Sequence, residues 1–397
     1  MGLVLAGVAR QHGGVPATAV GLLAASFYIA ELLGAPVFGS LSDRFGRRRF
    51  LIAGPIFGGV AVQLIGWPSL LIALPLLLLP MAVGRVVEGL STATTAPSTL
   101  SLLSAETADS AVERGRVMSW YEMATVIGIG LGFVAAGLLW DQLHHGAFLA
   151  VTCIYVAALV AFSFVRDAGP RLASQMEARR HSSFGEVLRQ RRLLRFVPAW
   201  LCMNTIAGVW FTHSAFQLTG VRRAGQFLSG EFTGSSLGAV FALFSAAFLI
   251  GVFLWGLLIG RREKTSLMVV TTAGIYVICL ALFAINEFGD EGRVVVVALT
   301  ALFLAGVAIA SGFTPAALAY LADISEELAE HRGAVMGLYS VMLGLGQLLG
   351  GTLGGPFAQV GGVNGLIVLT ALLGSGALVT LVVLHRAESR PSRLTTA

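Results

Sequence analysis

The chain has 397 residues, of which 56% are hydrophobic and only 12% are charged, and its formal net charge is +5. Soluble domains carry about 25% charged residues, so this composition excludes an ordinary water-soluble enzyme, a disordered chain and a disulfide scaffold. It predicts an integral membrane protein whose apolar side chains face lipid as well as each other.

Apolar runs separated by charged or Gly/Pro-rich turns predict the membrane-spanning helices. A span needs about 20 apolar residues. Residues 1–9 are apolar but too few to cross a membrane, and we interpret them as the end of a first, apparently truncated span. With it, the expected total is twelve. The other eleven predicted spans are 18–40, 50–67, 71–104, 117–140, 146–165, 194–220, 236–260, 265–285, 294–322, 334–357 and 365–385.

The distribution of basic residues predicts the orientation in the membrane. If the turn 41–49 is cytoplasmic and the spans alternate, 21 basic residues lie on the cytoplasmic side, four lie outside and one lies within a span. Such a bias is the positive-inside signal of multi-pass proteins. We therefore expect a protein of the cell membrane with a cytoplasmic C-terminus, and the net charge needs no nucleic-acid partner.

The chain also repeats itself at an offset of 218 residues. Segments 114–137 and 332–355 are identical at nine of 24 positions. Both halves contain an even number of spans, which indicates a parallel repeat with a site expected between the halves. The expected organisation is an N-terminal half over 1–165, a cytoplasmic central loop over 166–193 and a C-terminal half over 194–397.

Two motifs resemble those of the major facilitator superfamily. The turn 39–48, GSLSDRFGRR, is similar to the family signature between spans 2 and 3, G-x-L-x-D-R-x-G-R-R, at every fixed position. Residues 85–89, RVVEG, resemble the R-x-x-Q-G motif of span 4. In span 5, GIGLGFVAAG resembles the antiporter pattern G-x3-G-P-x2-G-G, but Phe133 replaces the proline and Ala136 a glycine, which weakens the inference of an antiporter.

The resemblance implies an all-α bundle of twelve transmembrane helices in two six-helix pseudo-repeats. It implies secondary active transport of a small solute by alternating access, and a monomer that needs no cofactor or metal. We expect proton coupling and efflux of an amphipathic compound. The alternatives are uptake of a small metabolite, such as a sugar or organic acid, and a non-transporting sensor or partner protein.

Enzymatic activity is not expected. The chain has no G-x4-G-K-[ST] loop for a nucleotide phosphate. Residues 234–238, GSSLG, match the G-x-S-x-G motif of a nucleophile elbow. Because they open a membrane helix rather than join a strand to a helix, we interpret the match as chance.

The resemblance further implies a conformational gate at the cytoplasmic ends of spans 2 and 3. In the gate, Asp43 pairs with Arg47 and caps span 11 near Gly333, and an acid at the end of span 4 joins them. The alternative is a solvated turn that only sets topology. The expected gate residues are Gly39, Asp43, Arg44, Gly46, Arg47, Arg48 and Glu106.

Glu31, Arg85 and Glu88 are ionisable residues within predicted spans, where such residues are costly and usually functional. Arg85 and Glu88 are three apart and share one helix face, either as a mutually neutralising pair or as a proton or substrate-charge site. Glu31 precedes Asp43 by about 18 Å of helix, at 1.5 Å per residue, which places it near mid-membrane. We predict proton or charge coupling at these three residues.

Span 7 carries a polar and aromatic stripe. Trp210, His213 and Gln217 share one helix face, which suits a ligand cavity; anchoring at the outer interface is the alternative. Tyr28 and Asn204 complete the candidate cavity residues.

Glycines of spans 5 and 11 recur at four-residue spacing, which permits close helix packing. The predicted packing residues are Gly128, Gly132, Gly137, Gly346, Gly350 and Gly355.

Overall fold

The computed structural model describes residues 1–12, 15–68, 76–106, 111–165, 190–259, 261–327 and 332–389. Every regular element in these ranges is helical. Its α-helices, in chain order, are α1 Gly2–His12, α2 Ala17–Phe45, α3 Arg47–Gly66, α4 Leu78–Glu106, α5 Ala111–Leu143, α6 Gly146–Ser163, α7 Arg191–Thr219, α8 Gly234–Ile259, α9 Lys264–Thr272, α10 Gly274–Phe288, α11 Arg293–Ala310, α12 Phe313–Glu327 and α13 Arg332–Glu388. A 3-10 turn, Gly289–Glu291, precedes α11.

Eight stretches within the described ranges are helical, long and apolar enough to cross a membrane. Two of them combine neighbouring elements, namely Lys264–Glu291 and Arg293–Ile324, and a third, Val341–Glu388, lies within α13. A shorter apolar stretch, Ile127–Leu143, lies in α5. The expected all-helical architecture with apolar spans is therefore confirmed for the described residues.

The second half contains breaks within its predicted spans. Span 9 is divided at Ala273, and span 10 at Ser311 and Gly312. Spans 11 and 12 both lie in α13, which consists of two helices that meet at the non-helical Gly362, where φ is 59° and ψ is −135°. Glycine tolerates this backbone conformation because it has no Cβ atom.

The chain divides into two compact units. Unit 1 comprises Met1–His181, Thr212–Val221 and Phe232–Ala242; unit 2 comprises Ser182–Phe211, Arg222–Glu231 and Leu243–Ala397. The last turns of α7 and the first turns of α8 therefore belong to unit 1.

In unit 1, α4 packs extensively against both α2 and α3. A Cβ atom on Gly54 of α3 would lie 1.9 Å from Thr95 Oγ1 of α4. At the same level, the Ser91 hydroxyl donates a hydrogen bond to the Gly54 carbonyl at 2.6 Å. Small residues therefore bring these backbones together, as is common between membrane helices.

Unit 2 has a buried core formed by α7, α9, α12 and α13. Its centre is aromatic: the Phe196 ring lies 5.7 Å from the Trp200 ring and 5.2 Å from the Tyr320 ring. Tyr320 is 2% exposed.

Candidate functional site

The charged pair of α4 is formed in the structure. The Arg85 guanidinium donates a hydrogen bond to the Glu88 carboxylate one turn further along the helix. The two side chains are 14% and 28% exposed. Both side chains are thus mostly buried, and a buried ionised group needs a partner of opposite charge.

Helix α2 holds the arginine from the opposite side. The Arg85 guanidinium carbon lies 4.5 Å from the centre of the Phe27 ring, a cation–π geometry. Arg85 Nε also donates a hydrogen bond to the Leu23 carbonyl at 3.4 Å. Three contacts from two helices therefore fix the direction of the guanidinium.

Gly89 allows α2 to come this close to the pair. A Cβ atom at this position would lie 2.3 Å from the Phe27 carbonyl oxygen and 3.1 Å from the Glu31 nitrogen. The backbone that carries Glu31 therefore packs directly on the turn of α4 that carries Glu88. Glu31 interacts electrostatically with both Arg85 and Glu88, and so does the Tyr28 hydroxyl.

The structure thus brings Glu31, Arg85, Glu88 and Tyr28 together in unit 1. Two carboxyl groups therefore lie near one guanidinium, and that of Glu88 is bonded to it. With both acids ionised, the three side chains of Glu31, Arg85 and Glu88 carry one net negative charge. Within a membrane such an excess is costly. Binding a proton, or a cationic group of a solute, would remove it.

The other predicted cavity residues are distributed along α7. Asn204 and Trp210 lie in unit 2, whereas the buried His213 and Gln217 lie in unit 1. The Asn204 amide donates to the Trp200 carbonyl at 2.9 Å. Trp210 Nε1 donates to the Thr370 hydroxyl at 2.9 Å. Asn204 and Trp210 therefore both bond to other groups of the protein.

The predicted gate residues lie around the junction of α2 and α3, except Glu106, which ends α4. Gly46 has a φ of 94°, a region that residues with a Cβ atom rarely adopt, and its N–H donates to the Ser42 carbonyl at 3.1 Å. Arg48 donates to the Ser163 carbonyl at the end of α6 at 2.6 Å.

The remaining gate residues differ in their exposure and in their close neighbours. Arg47 is buried, whereas Arg44 and Glu106 are exposed. A Cβ atom on Gly39 would lie 3.6 Å from Pro97. The Asp43 side chain and the side chains near Gly333 lie outside the described part of the chain.

The predicted packing glycines differ in their surroundings. A Cβ atom on Gly346 would lie 2.4 Å from Asn204, and one on Gly350 would lie 2.3 Å from the Thr205 carbonyl, so both face α7. Gly137 faces the start of α8. Gly355 is buried. At Gly128 and Gly132, a Cβ atom would meet no described atom within 4 Å.

Two aromatic residues of the cluster were not predicted from the sequence. Phe27 is four residues before Glu31 and so lies on the same face of α2, a spacing that could have indicated it. Tyr155 of α6 interacts electrostatically with Glu88 and packs on α3, where a Cβ atom on Gly58 would lie 2.2 Å from the ring. Only the tertiary packing reveals this second residue.

An apolar groove of about 690 Å³ lies between α3 and α6 in unit 1. Its lining includes Ile56, Val60, Trp67 and Tyr155, but none of the predicted cavity residues. Tyr155 is thus common to the groove and the cluster, whereas the described lining of the groove contains no carboxylate or guanidinium.

Comparison with known proteins identifies the family. The sequence model described as Major Facilitator Superfamily matches residues 1–230 and 224–397, which together span the chain. The solved structure of the nucleoside transporter NupG is similar, with a TM-score of 0.72 and 11% identity over 98% of this chain and 95% of that one. At this identity the likeness concerns the fold.

Two characterised relatives are similar in sequence. The class C tetracycline resistance protein of Escherichia coli is 34% identical over 155 residues, which are 38% of this chain and 36% of that protein. The inner membrane transport protein YajR of Escherichia coli (strain K12) is 23% identical over 96% of this chain and 75% of its own length. The first alignment thus covers about a third of the relative.

Proposed function

Because the chain belongs to the major facilitator superfamily, we propose that it is a secondary active transporter of a small solute. It contains twelve spans in two six-helix halves, 1–165 and 194–397, joined by a cytoplasmic loop. The halves alternate access between the two sides of the cell membrane, and the chain acts as a monomer.

The observation that carries the proposal is the excess carboxylate beside Arg85. Glu88 is paired with the guanidinium, whereas Glu31 approaches the same pair from α2. A cluster that is neutral with one proton bound and anionic without it can couple proton movement to solute movement. We assign proton coupling to Glu31, Arg85 and Glu88, and solute contact to Tyr28 and the polar side chains of α7.

We propose efflux as the direction and an amphipathic compound as the solute. One relative is a tetracycline resistance protein, and resistance is the effect that exporting a drug from the cell would have. The aromatic rings of Phe27 and Tyr28 next to ionisable groups suit a solute with both apolar and charged parts.

We also propose that the α2–α3 turn is the cytoplasmic gate. The buried Arg47 and the bond from Arg48 to the end of α6 support this role, because they tie the turn to neighbouring helices. The glycines of α13 that face α7 allow these helices to pack and slide without interlocking side chains.

The decisive experiment measures transport of an amphipathic fluorescent dye in proteoliposomes with an imposed pH gradient. Glu31→Gln and Glu88→Gln remove a titratable carboxyl while preserving shape. We expect both to lose at least about tenfold in gradient-driven dye movement, because a factor of ten corresponds to only about 1.4 kcal/mol. Glu291→Gln, in the exposed 3-10 turn, is the matched control and should transport as the parent does.

Unchanged gradient dependence in both variants would rule out proton coupling through this cluster. Dye accumulation on the predicted cytoplasmic side would instead favour uptake. A parent chain that moves none of a broad panel of dyes and metabolites would favour the non-transporting alternative.

A further inference from the structure

The outer end of unit 1 contains a second charged arrangement, unrelated to the membrane cluster. Asp141, near the end of α5, meets the first residues of α8. Its Oδ1 accepts a hydrogen bond from the Gly234 N–H at 2.9 Å, and its Oδ2 accepts one from the Ser235 N–H at 2.6 Å. Each carboxylate oxygen thus has a backbone donor from a helix 93 residues away in sequence.

Asp141 is not required to start α8, because the helix has a cap of its own. The Thr233 hydroxyl accepts the Ser236 N–H at 3.2 Å, while the Ser236 hydroxyl accepts the Thr233 N–H at 2.8 Å. The carboxylate instead bonds the amides left over at the positive end of the helix dipole. Such charge-assisted bonds are roughly twice as strong as neutral ones, so their effect is to join α5 to α8.

Arg10 of α1 holds the same segment from the other side. Its Nε donates to the Gly220 carbonyl at 3.0 Å, and its Nη2 donates to the Phe232 carbonyl at 3.4 Å. Arg10 therefore binds the carbonyl at one end of residues 232–235, and Asp141 binds two N–H groups at the other end. The arginine distribution assigns this end of the helices to the outside of the cell.

The glycines of 234–238 explain how the two helices come close enough for these bonds. A Cβ atom on Gly137 of α5 would lie 2.0 Å from the Gly234 carbonyl oxygen, and one on Gly238 would lie 3.1 Å from Val134 Cα. One turn deeper, the Phe133 and Phe241 rings stack with centroids 4.1 Å apart and planes within 8°. Residues 234–238, which match the nucleophile-elbow motif, thus form the surface of α8 that contacts α5.

We propose that Arg10 and Asp141 form a reversible outer latch, which holds the outer ends of α5 and α8 together and is released when the protein opens outward. The latch rests on the proposed alternating-access function. The latch consists of a few hydrogen bonds, one pair of stacked rings and close backbone contacts at glycines. Because few of the described side chains interdigitate between α5 and α8, the two helices can separate without repacking.

Accessibility of a buried cysteine tests the latch. Leu237→Cys places the reporter at a position on α8 that is 5% exposed. Intact cells are treated with a membrane-impermeant maleimide, and the labelling of the parent without the reporter is subtracted. Adding Asp141→Ala should raise the labelling rate about tenfold, since the lost bonds are charge-assisted, and Asp141→Asn should have a smaller effect because it retains one acceptor.

Asp290→Asn, an exposed carboxylate of the 3-10 turn, is the control and should leave the labelling rate unchanged. If Asp141→Ala does not reach the membrane, Arg10→Gln tests the other side of the latch and should also raise labelling. Rates in the Asp141 and Arg10 variants equal to that of Asp290→Asn would overturn the latch.

The readout needs no substrate, which separates the two proposals. Raised labelling in a chain without transport would support the latch and count against the transport function. Unchanged labelling in a chain with normal transport would refute the latch alone.

Discussion

At the scale of single residues, Gly89 decides whether the charged cluster can form. Its missing side chain lets the Phe27 carbonyl come within 2.3 Å of where a Cβ atom would lie. In Gly89→Ala, α2 must move away from α4, carrying Glu31 and Phe27 away from Arg85. Overpacking of this kind costs about 1–3 kcal/mol, so we expect a lower thermal unfolding temperature of the detergent-purified protein.

Gly128→Ala is the matched control for this prediction, because a Cβ atom at Gly128 meets no described atom within 4 Å. Alanine favours a helix over glycine by about 1 kcal/mol, so this variant should unfold at the same or a higher temperature. An equal decrease in both variants would show that Gly89 has no special role in packing.

The contacts of the charged cluster could be predicted from the sequence only in part. Arg85 and Glu88 are three apart on one helix, so local spacing alone predicted that they share a face and gave a mutual pair as one of two alternatives. Glu31 showed no partner in the sequence, because its neighbours come from another helix and their approach depends on Gly89. Phe27 lies one turn before Glu31 on the same face of α2, but this spacing alone does not distinguish it from the other apolar residues of the helix, and the cation that faces its ring comes from α4.

At the scale of elements, the turn between α2 and α3 carries a prediction for the gate. Gly46, at a φ of 94°, fixes the turn that places Asp43 at the end of one helix and Arg47 at the start of the next. If Asp43 closes the gate, Asp43→Asn should reduce the maximal rate of dye transport several-fold and change the half-saturating concentration little, because the gate does not contact the solute.

Initial rates over a range of dye concentrations separate the two parameters, with Asp290→Asn as the control for loss of a remote carboxylate. A defect confined to the half-saturating concentration would argue that Asp43 contacts the solute. Normal kinetics would favour the simpler interpretation, a turn whose arginines only set topology.

Helix boundaries were predictable where hydropathy changes sharply, and interruptions were not. The predicted span 236–260 differs from α8 by two residues at its start and one at its end. By contrast, the interruptions at Ala273 and at Ser311 and Gly312 fall inside predicted spans. The break predicted between spans 11 and 12 is confirmed by the non-helical Gly362. Apolar runs mark the depth of the membrane, whereas a kink depends on a single backbone conformation that hydropathy does not record.

At the scale of the whole molecule, the internal repeat and the family match agree. The 218-residue offset pairs segments on α5 and α13, and the family's sequence model covers both halves. The structure adds that the two copies serve different contacts. Gly346 and Gly350 face α7, whereas Gly128 and Gly132 face no described neighbour. The shared glycine spacing of the two segments therefore predicted the repeat of the fold, but not which glycines contact a neighbouring helix.

Orientation is the property of the whole molecule that charge alone predicts. With 21 basic residues on one side and four on the other, the positive-inside rule places the turn before α11 outside the cell and the end of α13 in the cytoplasm. A reporter that is active only outside the cytoplasm should therefore be active when fused after Arg293 and inactive when fused after Ser389. The opposite result at Arg293 would invert the assigned sides. It would also move the Arg10 and Asp141 latch to the cytoplasmic face, where it could not control outward opening.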